Sequence, residues 1–305
     1  MGSVNFITHA DVLQLIAKRT AEDCIIFLSG PTSRKTPLSL LRMKDVIAVN
    51  GSVQYLLNNN VKPFLYLLTD IRFLHRRRED FYNFSRNSQF TIVNLDVYEQ
   101  ASVDDQKYIE ENCLIIRSFY RREKGGFLKK IKFNILKRVH KALLISVPLS
   151  KRGRLAGFCK DISIGYCSCH TIAYTAIQVA YSLKYGRIIC SGLDLTGSCP
   201  RFYDESTSPM PSELSKDLFK ILPFFTFMRK NVSDLNIFNL SDDTAIHYDI
   251  IPYITASELE DEIYYDKIVY TLDKSLFFVA SARISFFYNI SFSIKLTILD
   301  YSYYD

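Results

Sequence analysis

Four short stretches of this 305-residue chain end an apolar run on small polar residues. CIIFL (24 to 28) runs into Ser29, Gly30, Pro31 and Thr32, and DVIAV (45 to 49) runs into Asn50, Gly51 and Ser52. PFLYLLT (63 to 69) ends on Thr69, followed by Asp70 and Arg72, and RIICSG (187 to 192) leads through Gly192 to Asp194, Leu195 and Thr196. Backbone N–H groups at a strand-to-helix turn face an anion, and a helix N-terminus adds positive potential, so loops of this composition can hold a phosphate. The first is not an ATP-type phosphate loop, because Gly30 has no second Gly followed by Lys and Ser or Thr at the required spacing. In an open α/β sheet, ligands gather at the carboxyl ends of strands. Any one of these loops also fits an ordinary turn, but four together predict one shared crevice.

The elements that must position these loops follow from the apolar pattern. FTIVNLD (90 to 96), CLIIRS (113 to 118) and LNIFNLS (235 to 241) are further buried-strand candidates. Helical stretches lie between several of the runs. The clearest begins at His170, where Ala173, Ile177, Ala180 and Leu183 recur at helical spacing and Gly186 supplies a stop. The alternation predicts an α/β fold with a mostly parallel sheet and helices on both faces. The expected organisation is one domain over residues 1–260, with a basic amphipathic insertion near 121–141, and an aromatic tail over 261–305 whose alternation suits a strand or an interfacial segment.

Composition narrows the function classes. Hydrophobic residues make up 48% and charged residues 23%, which excludes wholesale disorder. The seven cysteines are odd in number and several sit in apolar runs, so reduced buried thiols are expected. The start of the chain lacks a basic region followed by an apolar one, which predicts a cytosolic-side location, and no window of 18 uncharged apolar residues predicts a membrane span. Cys167, Cys169 and His170 in CSCH have no second Cys or His pair at zinc-ligand spacing, so metal binding is not expected. No Asp-x-Asp triplet occurs, which disfavours an enzyme that holds a divalent ion through one. LHRRRED (74 to 80) and RREKGGFLKKIKFNILKRVHK (121 to 141) are basic, the second with nine Lys or Arg. In the second, Phe127, Ile131, Ile135 and Leu136 are spaced to share a helical face. Such an apolar stripe under a basic run favours an anionic membrane surface over nucleic acid, for which no recognition motif is present.

The segments SGPTS, VNGSVQYL, LLTDIRFLHRRR, SFYRREKGGFLKKIKFNIL, VPLSKRGRLAGFCKDISIGYCSCHTI and IICSGLDLTGSCPRFYDE together resemble the Kdo-III transferases of the enterobacterial lipopolysaccharide core, from about residue 3 to about 255. The resemblance implies a glycosyltransferase that moves Kdo, an eight-carbon 2-keto sugar acid, from CMP-Kdo to a Kdo of the lipid-anchored inner core. It also implies a peripheral site of action on the inner face of the inner membrane. A more distant similarity to bacterial CMP-sialic acid transferases implies a GT-A-like, Rossmann-type nucleotide-sugar domain without cofactor or metal. Its matching positions here are Ser29-Gly30-Pro31-Thr32, Asn50, Thr171 and Ser191-Gly192-Leu193-Asp194.

Read through that resemblance, Ser29, Thr32, Asn50 and nearby N–H groups address the cytidine phosphate and ribose, Asp194 and Thr171 the ribose or base, and Tyr203 a second phosphate contact. Gly51, Thr69, Leu195 and Thr196 complete the donor site. A single-phosphate leaving group can be stabilised by fixed donors in place of a metal. Arg72 or Arg201 pairs with the carboxylate of the sugar. The distant relatives carry a His base where this chain has none, so Glu213 leads as catalytic base, with His170 and Asp70 behind it. Lys124, Lys129, Lys130, Lys132 and Lys137 are the residues expected at the membrane surface. Two alternatives stay open: another CMP-sugar transferase of the sialic-acid type, and a non-catalytic protein that binds sugar nucleotides or membrane surfaces.

Overall fold

A computed structural model describes residue 4 and residues 6–197, 201–203 and 214–261. The chain divides into two compact units, Met1–Ala256 and Ser257–Asp305. The aromatic tail expected at 261–305 lies, from residue 262 on, outside the described residues, as does Glu213.

Seven strands of the first unit form one sheet: β1 (Cys24–Phe27), β2 (Asp45–Val49), β3 (Leu65–Leu68), β4 (Phe90–Asn94), β5 (Leu114–Ile116), β8 (Ile188–Ser191) and β9 (Ile237–Asn239). The other two, β6 (Leu143–Ser146) and β7 (Ala156–Cys159), pair as a separate antiparallel ribbon. The sheet runs in the order β5-β4-β3-β2-β1-β8-β9, and every neighbouring pair is parallel. All seven apolar runs of the sequence reading are strands of this sheet, and the expected mostly parallel α/β class is the one observed. Every residue of β1, β2, β3 and β8 is buried. Successive side chains point to opposite faces, so burial at each position means that both faces are covered, and this is why the strands read as unbroken apolar runs.

On one face, Ile26, Ile47 and Leu65 share a core cluster with Ala173, Ala176, Ile177 and Ala180 of the helix Ile172–Ser182. The alanines allow close approach, and the helix packs against β1 and β2. On the other face, the Tyr66 ring of β3 meets Phe81 and Phe84 at centroid distances of 6.2 and 5.9 Å, the edge or tilted geometry that aromatic pairs prefer. The expected stop at Gly186 is corrected. The helix ends at Ser182, and Lys184 takes the left-handed φ of 62°, while the Gly186 N–H is drawn off to the Glu22 carbonyl at 2.9 Å.

The chain leaves β1 toward β2 and on to β5 on one side, whereas β8 and β9 lie on the other side of β1. The β1/β8 boundary is therefore a topological switch point, where parallel sheets open a crevice at their carboxyl ends.

Candidate active site

A cleft of about 370 Å³ opens at that boundary. Its wall draws on the ends of β1, β2, β3, β4 and β8 and on the first turn of the 172–182 helix. Ser29, Gly30 and Pro31 come from the first strand end, Asn50 from the second, and Thr69, Asp70 and Arg72 from the third. Gly192, Asp194, Leu195 and Thr196 come from β8, with Arg201 beyond them and His170 and Thr171 at the helix start. The structure thus gathers fourteen of the sequence-predicted site residues into one cavity.

The β1 and β8 loops meet backbone to backbone. A Cβ on Gly30 would lie 2.4 Å from the Gly192 carbonyl oxygen and 2.5 Å from the Asp194 carboxylate, and Gly192 itself has a φ of 75°. Asp194, 5% exposed, ties the loops together. Its Oδ2 accepts the Thr32 N–H at 3.0 Å, and its Oδ1 accepts the hydroxyls of Thr32 and, at 2.7 Å, of Ser241. Thr32 therefore stands behind the wall, with both of its donors committed to Asp194. Gly51 and Tyr203 are also outside the wall. A Cβ on Gly51 would meet the Tyr203 ring at 2.7 Å, so the absent side chain is what lets the ring lie there, with the Arg77 guanidinium 5.5 Å from its centroid.

Asn50 holds a φ of 47°, a left-handed conformation that Asn tolerates better than most residues. Its Oδ1 is buried and has no hydrogen-bond partner among the described residues. Such an acceptor is costly unless a ligand supplies the donor. Asp70 and Arg72 are engaged with each other: Oδ1 accepts from Nε at 3.0 Å and Oδ2 from Nη2 at 2.8 Å, while Oδ1 also caps the 71–76 helix through the Arg72 N–H. The fork fixes the guanidinium at the edge of the cleft.

The second constellation forms around His170. Its Nδ1 lies 2.8 Å from Asp217 Oδ2 and its Nε2 lies 3.2 Å from Glu123 Oε1. Lys220 pairs with Asp217 and Arg154 with Glu123. Burial pushes the Asp217 carboxyl up, but the Lys220 ammonium and the His170 imidazole outweigh it and hold the carboxyl below the usual range. Burial likewise raises Glu123, and its own N–H, His170 and Arg154 overcome that and lower it. The loop carrying His170 is set by Gln178, fully buried in the helix. Its Oε1 accepts the N–H groups of Cys159 and Cys167, both at 2.9 Å, and its Nε2 donates to the Cys167 carbonyl at 3.0 Å. The CSCH thiols are packed rather than convergent: burial pushes Cys169 up to about 12 and Cys167 well above its ordinary value. Among the described residues no group of three His, Cys, Asp or Glu side chains converges as metal ligands.

Asn94, Asp96, Tyr166, Glu123 and Asp217 were not picked out by sequence reasoning. Asn94 and Asp96 follow the same rule of polar residues after a buried strand, in FTIVNLD, and could have been found by it. Glu123 and Asp217 reach His170 from segments far from it in sequence, and no local spacing signals that meeting.

Comparison with known proteins adds a family. Residues 6–257 match the family described as 3-deoxy-D-manno-octulosonic acid transferase WaaZ. The chain is 70% identical over 262 residues to a probable 3-deoxy-manno-octulosonic acid transferase of Escherichia coli (strain K12), covering 86% of this chain and 93% of that protein. Among solved structures, the MAf glycosyltransferase from Magnetospirillum magneticum AMB-1 aligns with a TM-score of 0.43 at 12% identity, over 84% of this chain and 36% of its own length.

Proposed function

This chain belongs to the WaaZ family of 3-deoxy-D-manno-octulosonic acid (Kdo) transferases and is a Kdo-transferring glycosyltransferase; from that premise we propose that it uses CMP-Kdo as donor, without a metal, and a Kdo of the lipopolysaccharide inner core as acceptor. The observation that carries the donor reading is Asn50. Its unpartnered Oδ1 sits where five strand ends and a helix start converge, and it suits a hydroxyl or amino donor of a cytidine ribose or base. The first turn of the 172–182 helix and the N–H groups of the Ser29–Pro31 turn face the phosphate, where fixed dipoles stabilise the departing CMP. Arg201 and Arg72 lie on the wall to meet the sugar carboxylate.

Transfer proceeds by single displacement with inversion. The bond from C2 to the phosphate oxygen breaks, CMP leaves with the electron pair, the acceptor oxygen bonds to C2, and its proton passes to a base. Among the described candidates we assign that base to His170. The Asp217 contact at Nδ1, 2.8 Å, orients the ring, and the acceptor hydroxyl takes the place of Glu123 at Nε2, the longer contact at 3.2 Å, and hands its proton to that nitrogen.

The acceptor is lipid-anchored, and we place the enzyme peripherally on an anionic membrane surface at the inner face of the inner membrane. Among the described residues no helix is long and apolar enough to cross a membrane. What supports peripheral binding is the helix Phe127–Val139, which turns Phe127, Leu128, Ile131, Ile135 and Val139 outward, from 42% to 80% exposed. Leu136 parts from the stripe expected of it and packs inward beside Phe133. Lys129 and Lys137 donate to the carbonyls of Arg122, Lys124 and Ile145, so fewer uncommitted lysines are available to a surface than the sequence suggests.

Asn50→Gly tests the donor site, since Gly removes the amide while keeping the left-handed backbone. CMP affinity should fall about tenfold, the worth of one hydrogen bond at a buried acceptor. Unchanged affinity would remove Asn50 from the donor site.

A further inference from the structure

Beside the cleft lies a second cavity of about 270 Å³ that shares Asn94, Asp96 and Tyr166 with it, so the two have a stretch of wall in common. Its floor is welded to the cleft by backbone bonds: Tyr166 N–H to the Arg117 carbonyl and Phe119 N–H to the Tyr166 carbonyl, both at 3.0 Å. Two cations stand at it, Arg121 and Lys132. Arg121 is already compensated, by Glu99 and by Asp96 at 3.6 Å. Lys132 has no hydrogen-bond or ion-pair partner among the described residues, unlike Lys129 and Lys137 of the same helix. It is exposed, and on the helical wheel it borders the stripe formed by Leu128, Ile135 and Val139.

We propose that this side cavity is the acceptor subsite, and that Lys132 binds an anionic group of the acceptor saccharide, a sugar carboxylate or a sugar-linked phosphate. The inference rests on the Kdo-transfer reading above. Three features favour an acceptor over a second part of the donor. The cavity opens on the β4 side of the cleft, away from the β1 and β8 loops that suit a nucleotide. It ends at the helix whose outward apolar face suits a bilayer, which is where the sugars of a lipid-anchored acceptor would enter. It also offers one uncommitted ammonium beside the polar edge of Asn94 and Asp96, which matches a single acidic group carried on a hydroxyl-rich ring.

The test uses the full-length enzyme, CMP-Kdo and a water-soluble deacylated inner-core acceptor, without membranes, so that the role of the helix at a bilayer is not measured. Lys132 is exposed, and Lys132→Gln leaves the fold undisturbed. Acceptor KM should rise about tenfold or more, as expected for one charge-assisted hydrogen bond, donor KM should stay within about twofold, and Lys132→Arg should restore most of the loss. An acceptor with its carboxylate reduced to the alcohol and an acceptor stripped of phosphate identify the group: on whichever one carries the contact, wild type and Lys132→Gln become equal. An unchanged acceptor KM for Lys132→Gln, beside normal wild-type transfer, would overturn the subsite alone. A wild-type enzyme that transfers nothing from CMP-Kdo would overturn the donor reading and the subsite with it.

Discussion

Asp194→Asn separates two roles that this carboxylate could play. Both of its oxygens are occupied: Oδ2 by the Thr32 N–H at 3.0 Å, and Oδ1 by the hydroxyls of Thr32 and Ser241. An asparagine that keeps its oxygen toward the two hydroxyls turns an NH2 group against the Thr32 N–H. One charge-assisted hydrogen bond is then lost, at about 1.5–3 kcal/mol, and a largely buried donor is left without a partner. The combined cost is about 2–4 kcal/mol of stability. For a unit of this size, that lowers the melting temperature by about 5–15 °C. The β1 loop also loses its tie to β8, so the Ser29–Pro31 turn is released and CMP affinity falls along with stability. Thermal unfolding followed by circular dichroism, run beside calorimetric titration with CMP, reads both. Wild-type melting together with a large loss of CMP affinity would refute the positioning role and make Asp194 a direct ligand contact.

His170→Gln should cut turnover by at least about a hundredfold while CMP affinity stays near wild type, because a base acts on the acceptor and not on nucleotide binding. Glu213→Gln is the companion variant in steady-state assays: a near-normal rate there assigns the proton to His170, and the opposite pattern assigns it to Glu213. Replacing Ile131 and Ile135 together by Asp should leave melting unchanged, since both are exposed at 42% and 57%, and should weaken sedimentation with anionic vesicles several-fold. Unchanged vesicle binding would remove the helix from the membrane contact.

The sheet was legible because a strand buried on both faces cannot hide its composition. CIIF, DVIAV and LYLL announce themselves, and the turn residues after them mark where the crevice must open. The β6/β7 ribbon was not legible, since LLIS and AGFC are short and partly exposed, and neither alternates cleanly. The 127–139 helix shows a different limit. Apolar residues occupy two of its faces, Phe133 and Leu136 on one and Phe127, Ile131 and Ile135 on the other, and periodicity alone does not say which meets the core. At the cleft, the loops after the strands were found because each carries its own polar cluster. Glu123 was masked by the arginines and lysines around it in RREKGG, and Asp217 belongs to a helix with a basic last turn. Thr32 and Asp194 were both recognised, but their pairing across 162 positions, which turns one of them away from the cavity, is a property of the assembled β1/β8 boundary.

Metal-free Kdo transfer from CMP-Kdo is tested by incubating the full-length protein with CMP-Kdo and a Kdo-containing inner-core acceptor in the presence of chelator, then following CMP release and acceptor mass. Stoichiometric CMP release with a gain of one Kdo is expected. No transfer in chelator that returns on adding a divalent ion would contradict the metal-free claim, and CMP release only from CMP-sialic acid would contradict the donor.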